Sequence, residues 1–226
     1  MTDLTVVCTP IGNLADLSPR AAEALGAADF WVVEDSRVSG KLQSHLGLKK
    51  PMLVLNDHTG DEKLTQYVRR EGKAALLSDG GAPVISDPGA KLIDLCYDEN
   101  TPVDVIPGPS AVIDALALSG FFAQRFAFLG FTPRKPGPTK ALLEPFKESP
   151  LTLVFFESPF RIDALLQACH ASLGERRYAI CREMTKLHQQ CFRATLPTIP
   201  SAGQVPRKGE ITLVVEGHRR GSVDVE

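Results

Sequence analysis

Leu76-Leu77-Ser78-Asp79-Gly80-Gly81-Ala82-Pro83-Val84-Ile85-Ser86-Asp87-Pro88-Gly89 is the stretch on which the fold turns. An apolar run from Ala74 to Leu77 enters it and the helical spacing of Leu92, Ile93 and Leu95 follows it, which predicts a long turn from strand to helix. Two adjacent glycines let backbone approach something flat or bulky, two prolines fix φ and remove donors, and the aspartates and serines supply acceptors. Such a composition suits a ligand-cradling loop or a rigid turn held by Asx-type hydrogen bonds. The surrounding segments decide between the two.

Outward from this turn, the first 118 residues alternate strand and helix five times, the strands being Thr5–Cys8, Phe30–Val33, Met52–Leu55, Ala74–Leu77 and Val103–Ile106. That order predicts a parallel sheet with helices on both faces. The first strand ends in Thr9-Pro10-Ile11-Gly12-Asn13-Leu14, at the carboxyl edge where open α/β sheets bind ligands. Ser18-Pro19 caps and opens a helix, and helices are expected at Val38–Leu46 and Asp61–Glu71. Glu34-Asp35-Ser36-Arg37 follows the second strand and reads either as a local ion pair with a helix cap or as a substrate-facing set. His58, in the loop after the third strand, is a proton shuttle, a phosphate contact or a solvated side chain. Ser110 is a natural N-cap for a helix over Ala111–Leu118, whose first amides suit an anionic group. No G-x-G-x-x-G follows the first strand and no G-x-x-x-x-G-K-[ST] occurs, which argues against dinucleotide and nucleoside-triphosphate binding.

The character changes after Gly120, and the domain boundary is expected there, with one α/β domain over residues 1–119 and a second over 120–226. Phe121–Gly130 is aromatic-rich and is expected to hold an interdomain strand. Thr132–Pro138 is expected to be a loop, excluded from helix, carrying the adjacent cations Arg134 and Lys135; a helix follows over Thr139–Phe146. The strand Leu151–Phe156 runs into Glu157-Ser158-Pro159-Phe160-Arg161, where Pro159 opens a helix, and the strand Tyr178–Cys181 runs into Arg182-Glu183-Met184-Thr185-Lys186-Leu187-His188. Gln190–Thr195 reads as an edge strand and Ile211–Val215 as the last strand.

Composition narrows the class. Of 226 residues, 43% are hydrophobic and 23% charged, the balance of an ordered globular protein. No run is long enough to cross a bilayer and the N-terminus lacks a leader pattern, so the expected location is the cytoplasm, with no membrane partner. Five cysteines without a C-x-x-C indicate neither a disulfide framework nor a metal site and read as reduced fillers. The net charge of −2 hides an asymmetry: residues 1–120 hold 10 Lys and Arg against 17 Asp and Glu, and residues 121–226 hold 15 against 10. The basic half is the candidate for a polyanion.

Taken together, T-P-I-G-N-L at 9–14, E-D-S-R at 34–37, S-D-G-G-A-P-V-I-S-D-P-G at 78–89, I-P-G-P-S-A at 106–111, F-F-E-S-P-F-R at 155–161, R-E-M-T-K-L-H at 182–188 and K-G-E at 208–210 resemble the tetrapyrrole-methylase superfamily. More narrowly, they resemble its branch of ribosomal RNA small-subunit methyltransferases I, over residues 4–217. The resemblance implies a two-domain α/β protein, usually a homodimer, that binds S-adenosylmethionine in the cleft between its domains. It implies methylation of a cytidine ribose 2′-hydroxyl in small-subunit ribosomal RNA, free or in the subunit. Mapped motif by motif, the donor contacts fall on Pro10, Ile11, Gly81, Ala82, Pro83, Ile85, Ser110, Ala111, Phe156, Gly209, Glu210 and Ile211.

A ribose hydroxyl is a weak nucleophile, so an assisting group is expected among Asp35, Asp79, Glu157, Glu183, Lys186 and His58, with Asp35, Glu157 and Lys186 first. Arg37, His58, Arg161 and Arg182 are the expected substrate contacts, and the cations serve equally as internal partners of Glu34, Asp35, Glu157 and Glu183. The chain departs from the branch in four places: Asn56-Asp57-His58-Thr59 stands where many members have H-E-H-N, Val84 stands for a glycine, the segment from Pro197 to Pro206 lacks the helix usual there, and the sequence ends nine residues after Gly217, where many members continue into a small helical domain. Competing readings are a methylase of this fold with another acceptor (another RNA, a small molecule or a tetrapyrrole) and a non-catalytic donor-binding module.

Overall fold

Strands buried on both faces read as unbroken apolar runs, and the first half of the chain is built from them. The computed structural model describes residues 1–219. Strands β1 (Asp3–Val7), β2 (Phe30–Val33), β3 (Met52–Val54), β4 (Lys73–Leu77) and β5 (Val103–Ile106) form one sheet in the order β3-β2-β4-β1-β5. Every pairing in it is parallel. Side chains alternate between two cores: Phe30, Val32, Ala74 and Leu76 face one, and Trp31, Val33, Ala75 and Leu77 face the other. Helices α1 (Pro19–Ala27) and α2 (Ser36–Leu46) cover the second face through Ala21, Leu25 and Leu42. Helices α3 (Asp61–Arg69) and α4 (Ala90–Asp98) cover the first through Leu64, Tyr67, Val68, Leu92 and Cys96. The chain therefore leaves β1 toward one face and β4, its neighbour, toward the other, and at such a switch point the strand ends part to form a crevice.

Local chemistry sets the helix starts. Ser18 Oγ accepts from Ala21 N at 3.1 Å with Pro19 at the first helical position. Asp35 Oδ1 accepts from Arg37 N at 2.8 Å and begins α2, which closes on Gly47 at φ 65°.

Contacts divide the chain between Ser110 and Ala111 rather than at the expected 119/120. The reason is α5 (Ala111–Ser119), which packs on strands of the second sheet and buries Val112, Ala115 and Leu116. That sheet has the order β6-β7-β10-β8-β9, from β6 (Phe126–Phe131), β7 (Thr152–Glu157), β8 (Arg177–Arg182), β9 (Gln190–Thr195) and β10 (Ile211–Val215). Phe126–Phe131, expected as an interdomain strand, is an edge strand of this sheet, parallel to β7. The last strand, β10, lies at its centre, antiparallel to β7 and β8. The face opposite α5 carries the core of Leu153, Phe155, Tyr178, Ile180, Leu213 and Val215, covered by α7 (Ile162–Leu173).

The segment read as a helix-free loop is in part helix, because α6 spans Pro136–Leu143. Both Pro136 and Pro138 fall in its first turn, where an amide has no intrahelical acceptor and proline is tolerated.

Leu76 is 1% exposed at the centre of the first sheet. Leu76→Ala is expected to destabilise the first unit by about 2–5 kcal/mol. Denaturant unfolding followed by emission of Trp31, the sole tryptophan, measures it.

Candidate active site

Three turns meet at the carboxyl edge of the first sheet, above the adjacent strands β4, β1 and β5. Thr9 N donates to Gly81 O at 2.9 Å and Gly81 N to Thr9 O at 3.0 Å, an antiparallel bridge between the ends of two parallel strands. The reversal requires Gly81 at φ +85°, and a Cβ there would lie 3.1 Å from Ile11 Cγ2. A Cβ on Gly80 would sit 3.3 Å from Pro10 O, and one on Gly108 2.9 Å from Cys8 Cβ. Backbone thus lines this edge with Pro10, Ile11, Gly81, Ala82 and Pro83 close together, while the side chain of Ile85 stands 55% exposed. The buried Thr9 Oγ1 has no hydrogen-bond partner among the described residues. A built backbone cradle with an orphaned hydroxyl suits a ligand that offers polar atoms and a flat face, as a nucleoside does. Two open depressions of about 290 and 390 Å³ also occur in this unit, and neither is lined by these turns.

Beside the cradle, at the ends of β2 and β4, the charge is negative. Burial pushes the carboxyl of Glu34 up, and the nearby charges of Asp87 and Asp79 add to the shift. Burial does the same to Asp79 and to Asp87, against an opposing hydrogen bond to Asp87 from the Ser78 hydroxyl. Asp35 behaves differently. Arg37 grips it with Nε to Oδ1 at 3.0 Å and Nη2 to Oδ2 at 2.5 Å, and these hydrogen bonds hold its carboxyl down at about 2. Asp35 also caps α2 through Arg37 N, and its own amide donates to Asp79 Oδ1 at 3.2 Å. Asp35 is thereby a poor proton acceptor, while the Arg37 side chain remains 88% exposed. His58 is exposed in an Asx turn, its amide donating to Asn56 Oδ1 at 3.1 Å.

In the second unit β6, β7 and β8 point the same way, so their carboxyl ends share one edge with the start of β10. Glu157 is buried there: it accepts a short hydrogen bond from the Thr132 hydroxyl and one from Ser158 N at 2.8 Å, and pairs with Arg161 at 3.4 Å. Arg161 Nη2 also donates to Thr132 O at 2.9 Å and Pro133 O at 2.8 Å. Arg182, expected as a phosphate grip, is 6% exposed, with its donors directed at Gln190 Oε1, Lys208 O and His188 O at 3.4, 3.4 and 3.1 Å. It brackets loops. Phe156 packs edge-on to Phe128 at 4.8 Å and tilted against Phe131 at 5.7 Å.

Lys186 lies between two carboxylates, Nζ donating to Glu210 Oε2 at 2.9 Å and Glu183 Oε1 at 3.1 Å. Burial works against its charge, but the bonds to Glu210 and Glu183 prevail and raise its pKa, so Lys186 is a fixed cation at neutral pH. Glu183 holds φ 50° and Thr185 φ 63°, and the Thr185 hydroxyl is buried without a partner among the described residues. Gly209, at φ +82°, leaves room for the Glu183 carboxyl, since a Cβ would come within 2.6 Å of it. Glu210 N donates to that carboxyl at 2.9 Å, whereas the Ile211 side chain is buried in the core.

Thr9, Thr132 and Thr185 are not legible from the sequence as site residues, nor are Glu34 and Asp87 as titrating groups. Thr9 and Thr185 sit inside quoted motifs, where an uncharged hydroxyl gives no signal until its burial is known.

Comparison with known proteins follows the same outline. Residues 3–200 match the family described as tetrapyrrole (corrin/porphyrin) methylases. A protein of Haemophilus influenzae named ribosomal RNA small subunit methyltransferase I is 42% identical over 96% of this chain and 81% of its own. One of that name from Thermotoga maritima is 40% identical over 96% of this chain and 99% of its own. Among solved structures, a uroporphyrin III C-methyltransferase from Thermus thermophilus aligns with TM-score 0.65 at 17% identity over 95% of this chain and 97% of its own. The methyltransferase CobJ aligns with TM-score 0.70 at 14% identity over 97% of each chain; at these identities the likeness concerns the fold. The chain belongs to the tetrapyrrole methylase family, within its group of small-subunit ribosomal RNA methyltransferases I.

Proposed function

We propose that this protein transfers the methyl group of S-adenosylmethionine to the ribose 2′-oxygen of a cytidine in small-subunit ribosomal RNA, in the cytoplasm and as a homodimer. The observation that carries the reading is 38 to 42% identity, over 96 to 98% of the chain, to proteins named ribosomal RNA small subunit methyltransferase I. S-adenosylmethionine supplies an electrophilic methyl carbon on a sulfonium leaving group. The protein's own part is to bind, to align the acceptor oxygen and to exclude water.

For the donor, the first unit offers the cradle of Pro10, Ile11, Gly81, Ala82, Pro83 and Ile85, with Ser110 after β5. The second offers Ala111, Phe156, Gly209 and Glu210, and Ile211 through its backbone. Glu34, Asp79 and Asp87 add a negative field suited to a cationic ligand. None of the three residues first expected in catalysis presents a free basic group: Asp35 is held by Arg37, Glu157 is enclosed and Lys186 is a cation. This favours catalysis by alignment and fixed charge over a dedicated base.

For the acceptor, the second unit's carboxyl edge carries Phe131, Phe160 and Leu187, which are 63, 84 and 94% exposed. Arg134, Lys135, His188 and Lys208 stand exposed at the same edge and make no ion pair among the described residues. Apolar faces interleaved with cations suit unpaired RNA, whose bases stack while its phosphates meet charge. A tetrapyrrole acceptor gains less from such an edge.

Incubation of labelled S-adenosylmethionine with small subunits lacking modification is expected to label the RNA at one 2′-oxygen; donor binding without RNA label would overturn the acceptor assignment. Phe160→Ala is expected to raise KM for the subunit by roughly tenfold, in line with ~1–3 kcal/mol per stacked base, with donor affinity unchanged and recovery in Phe160→Trp. The raised carboxyls also set a pH dependence. A cationic donor favours their ionised forms, so donor affinity should fall as pH drops from about 7 through their raised pKa values toward the ordinary carboxylate range. Asp79→Asn should weaken donor binding at neutral pH and flatten that profile in calorimetric titrations; an unchanged profile removes the acidic edge from the donor site.

A further inference from the structure

Cys181 and Cys191, read from the sequence as unrelated fillers, are direct partners across β8 and β9. Leu196 N donates to Arg176 O at 2.9 Å, which makes the pair one step beyond Arg177 and Thr195 a hydrogen-bonded one. Opposed pairs alternate along an antiparallel ladder, and Cys181 with Cys191 lies an odd number of steps away. It is therefore a non-hydrogen-bonded pair, with the Cα atoms about 4.5 Å apart, inside the range a disulfide spans. The sulfurs are 3.8 Å apart and face the same way, Cys181 Sγ toward Ala115 O at 3.7 Å and Cys191 Sγ toward Leu118 O at 3.6 Å on α5. Cys191 is exposed on the edge strand, and the four other cysteines are buried.

We infer that Cys181 and Cys191 are a modification site for small-molecule disulfides, at which exchange closes a reversible cross-strand disulfide. In the first step the Cys191 thiolate attacks one sulfur of a disulfide such as oxidised glutathione, forming a mixed disulfide and releasing one glutathione thiolate. In the second the Cys181 thiolate attacks Cys191 Sγ, the protein disulfide forms and the second glutathione leaves as its thiolate. Two protein thiols are oxidised by two electrons, one small disulfide is reduced, and the two cysteine protons pass to the two released thiolates. Burial pushes the Cys181 thiol up, so ring closure is the slow step and quickens as pH rises. The bond forms in register, without moving a strand. It pins the base of the loop from Glu183 to Gln189, which carries Lys186, and removes the thiol contacts to Ala115 and Leu118. The proposal is independent of the methyl-transfer reading.

The test is peptide mapping by mass spectrometry, without reductant, of the folded protein treated with oxidised glutathione. A cross-linked peptide pair containing Cys181 and Cys191 is expected, forming several-fold faster at about pH 8.5 than at about pH 7 and lost on adding dithiothreitol. Cys181→Ser should stop at the mixed disulfide on Cys191, and Cys191→Ser should prevent both products. A stable mixed disulfide on Cys191 in the unmutated protein would overturn the inference. So would a Cys191–Cys191 link between two chains, or cross-linking through Cys8, Cys96 or Cys169. Because the first reading is made on the unmutated protein, a variant that fails to fold does not remove the test.

Discussion

The two-way backbone pair between Thr9 and Gly81 is the constraint on which the first unit's chemistry depends. Strands β1 and β4 are parallel, so their outgoing chains would run on side by side; instead the segment after β4 turns back and meets Thr9 antiparallel. Only a residue free to adopt positive φ and lacking a Cβ completes that reversal against Ile11, and Gly81 meets both conditions. Its consequence is that backbone, rather than mobile side chains, lines the carboxyl edge. A surface made of backbone is rigid before any ligand arrives, which lowers the ordering cost of binding. Val84 belongs to the same turn and holds φ 75°, an outlier for a β-branched residue, and its Cγ2 lies 3.0 Å from where a Cβ on Gly89 would stand. Strain of this kind persists only where the surroundings over-determine the backbone.

Charge works differently in the two units. In the first, burial of Glu34, Asp79 and Asp87 near one another leaves a negative field, which Arg37 tempers at Asp79 while committed to Asp35. In the second, Arg161, Arg182 and Lys186 shape the loops at the strand ends, by bonds to carbonyls in the first two and to carboxylates in Lys186. A cation holding several loop carbonyls fixes where its neighbours stand. The exposed groups Phe160, Leu187, Arg134 and Lys135 border those loops and inherit their positions. Among the cations read either as phosphate grips or as internal partners, Arg161 and Arg182 donate to loop carbonyls, whereas Arg37 bonds Asp35 with its side chain 88% exposed.

Much of the fold was legible because its signals are local. Apolar runs such as Phe30–Val33, caps such as Ser18 and the Gly-Pro turns report on backbone within a few residues. The boundary was not legible, since whether α5 belongs with the strands before it or after it depends on which sheet it covers, and its apolar residues suit either. Nor was the central place of β10, because strand order is a property of long-range pairing. The start of α6 was lost for a local reason, proline being read as a helix breaker where the first turn tolerates it. Among the candidate site residues, motifs marked the Gly- and Pro-rich turns, but protonation did not follow from residue type. Asp35 and Asp79 are the same amino acid in adjacent turns, yet one is held low by Arg37 and the other raised by burial.

The Glu183–Lys186–Glu210 cluster shows how the last strand serves the edge. Glu183 N donates to Glu210 O at 3.0 Å, and Glu210 N returns to the Glu183 carboxyl at 2.9 Å, so β8 and the residues entering β10 are closed on each other just beyond the sheet. The side chain can take that route because Gly209 has none in its way. With the Glu183 carboxylate so placed, Lys186 Nζ has one held acceptor, and the more exposed Glu210 carboxylate supplies a second. The bonds that raise its pKa also orient it, so one arrangement sets both charge and place. A cation held in this way is an orienting charge rather than a proton acceptor, because the carboxylates that place it also keep it protonated.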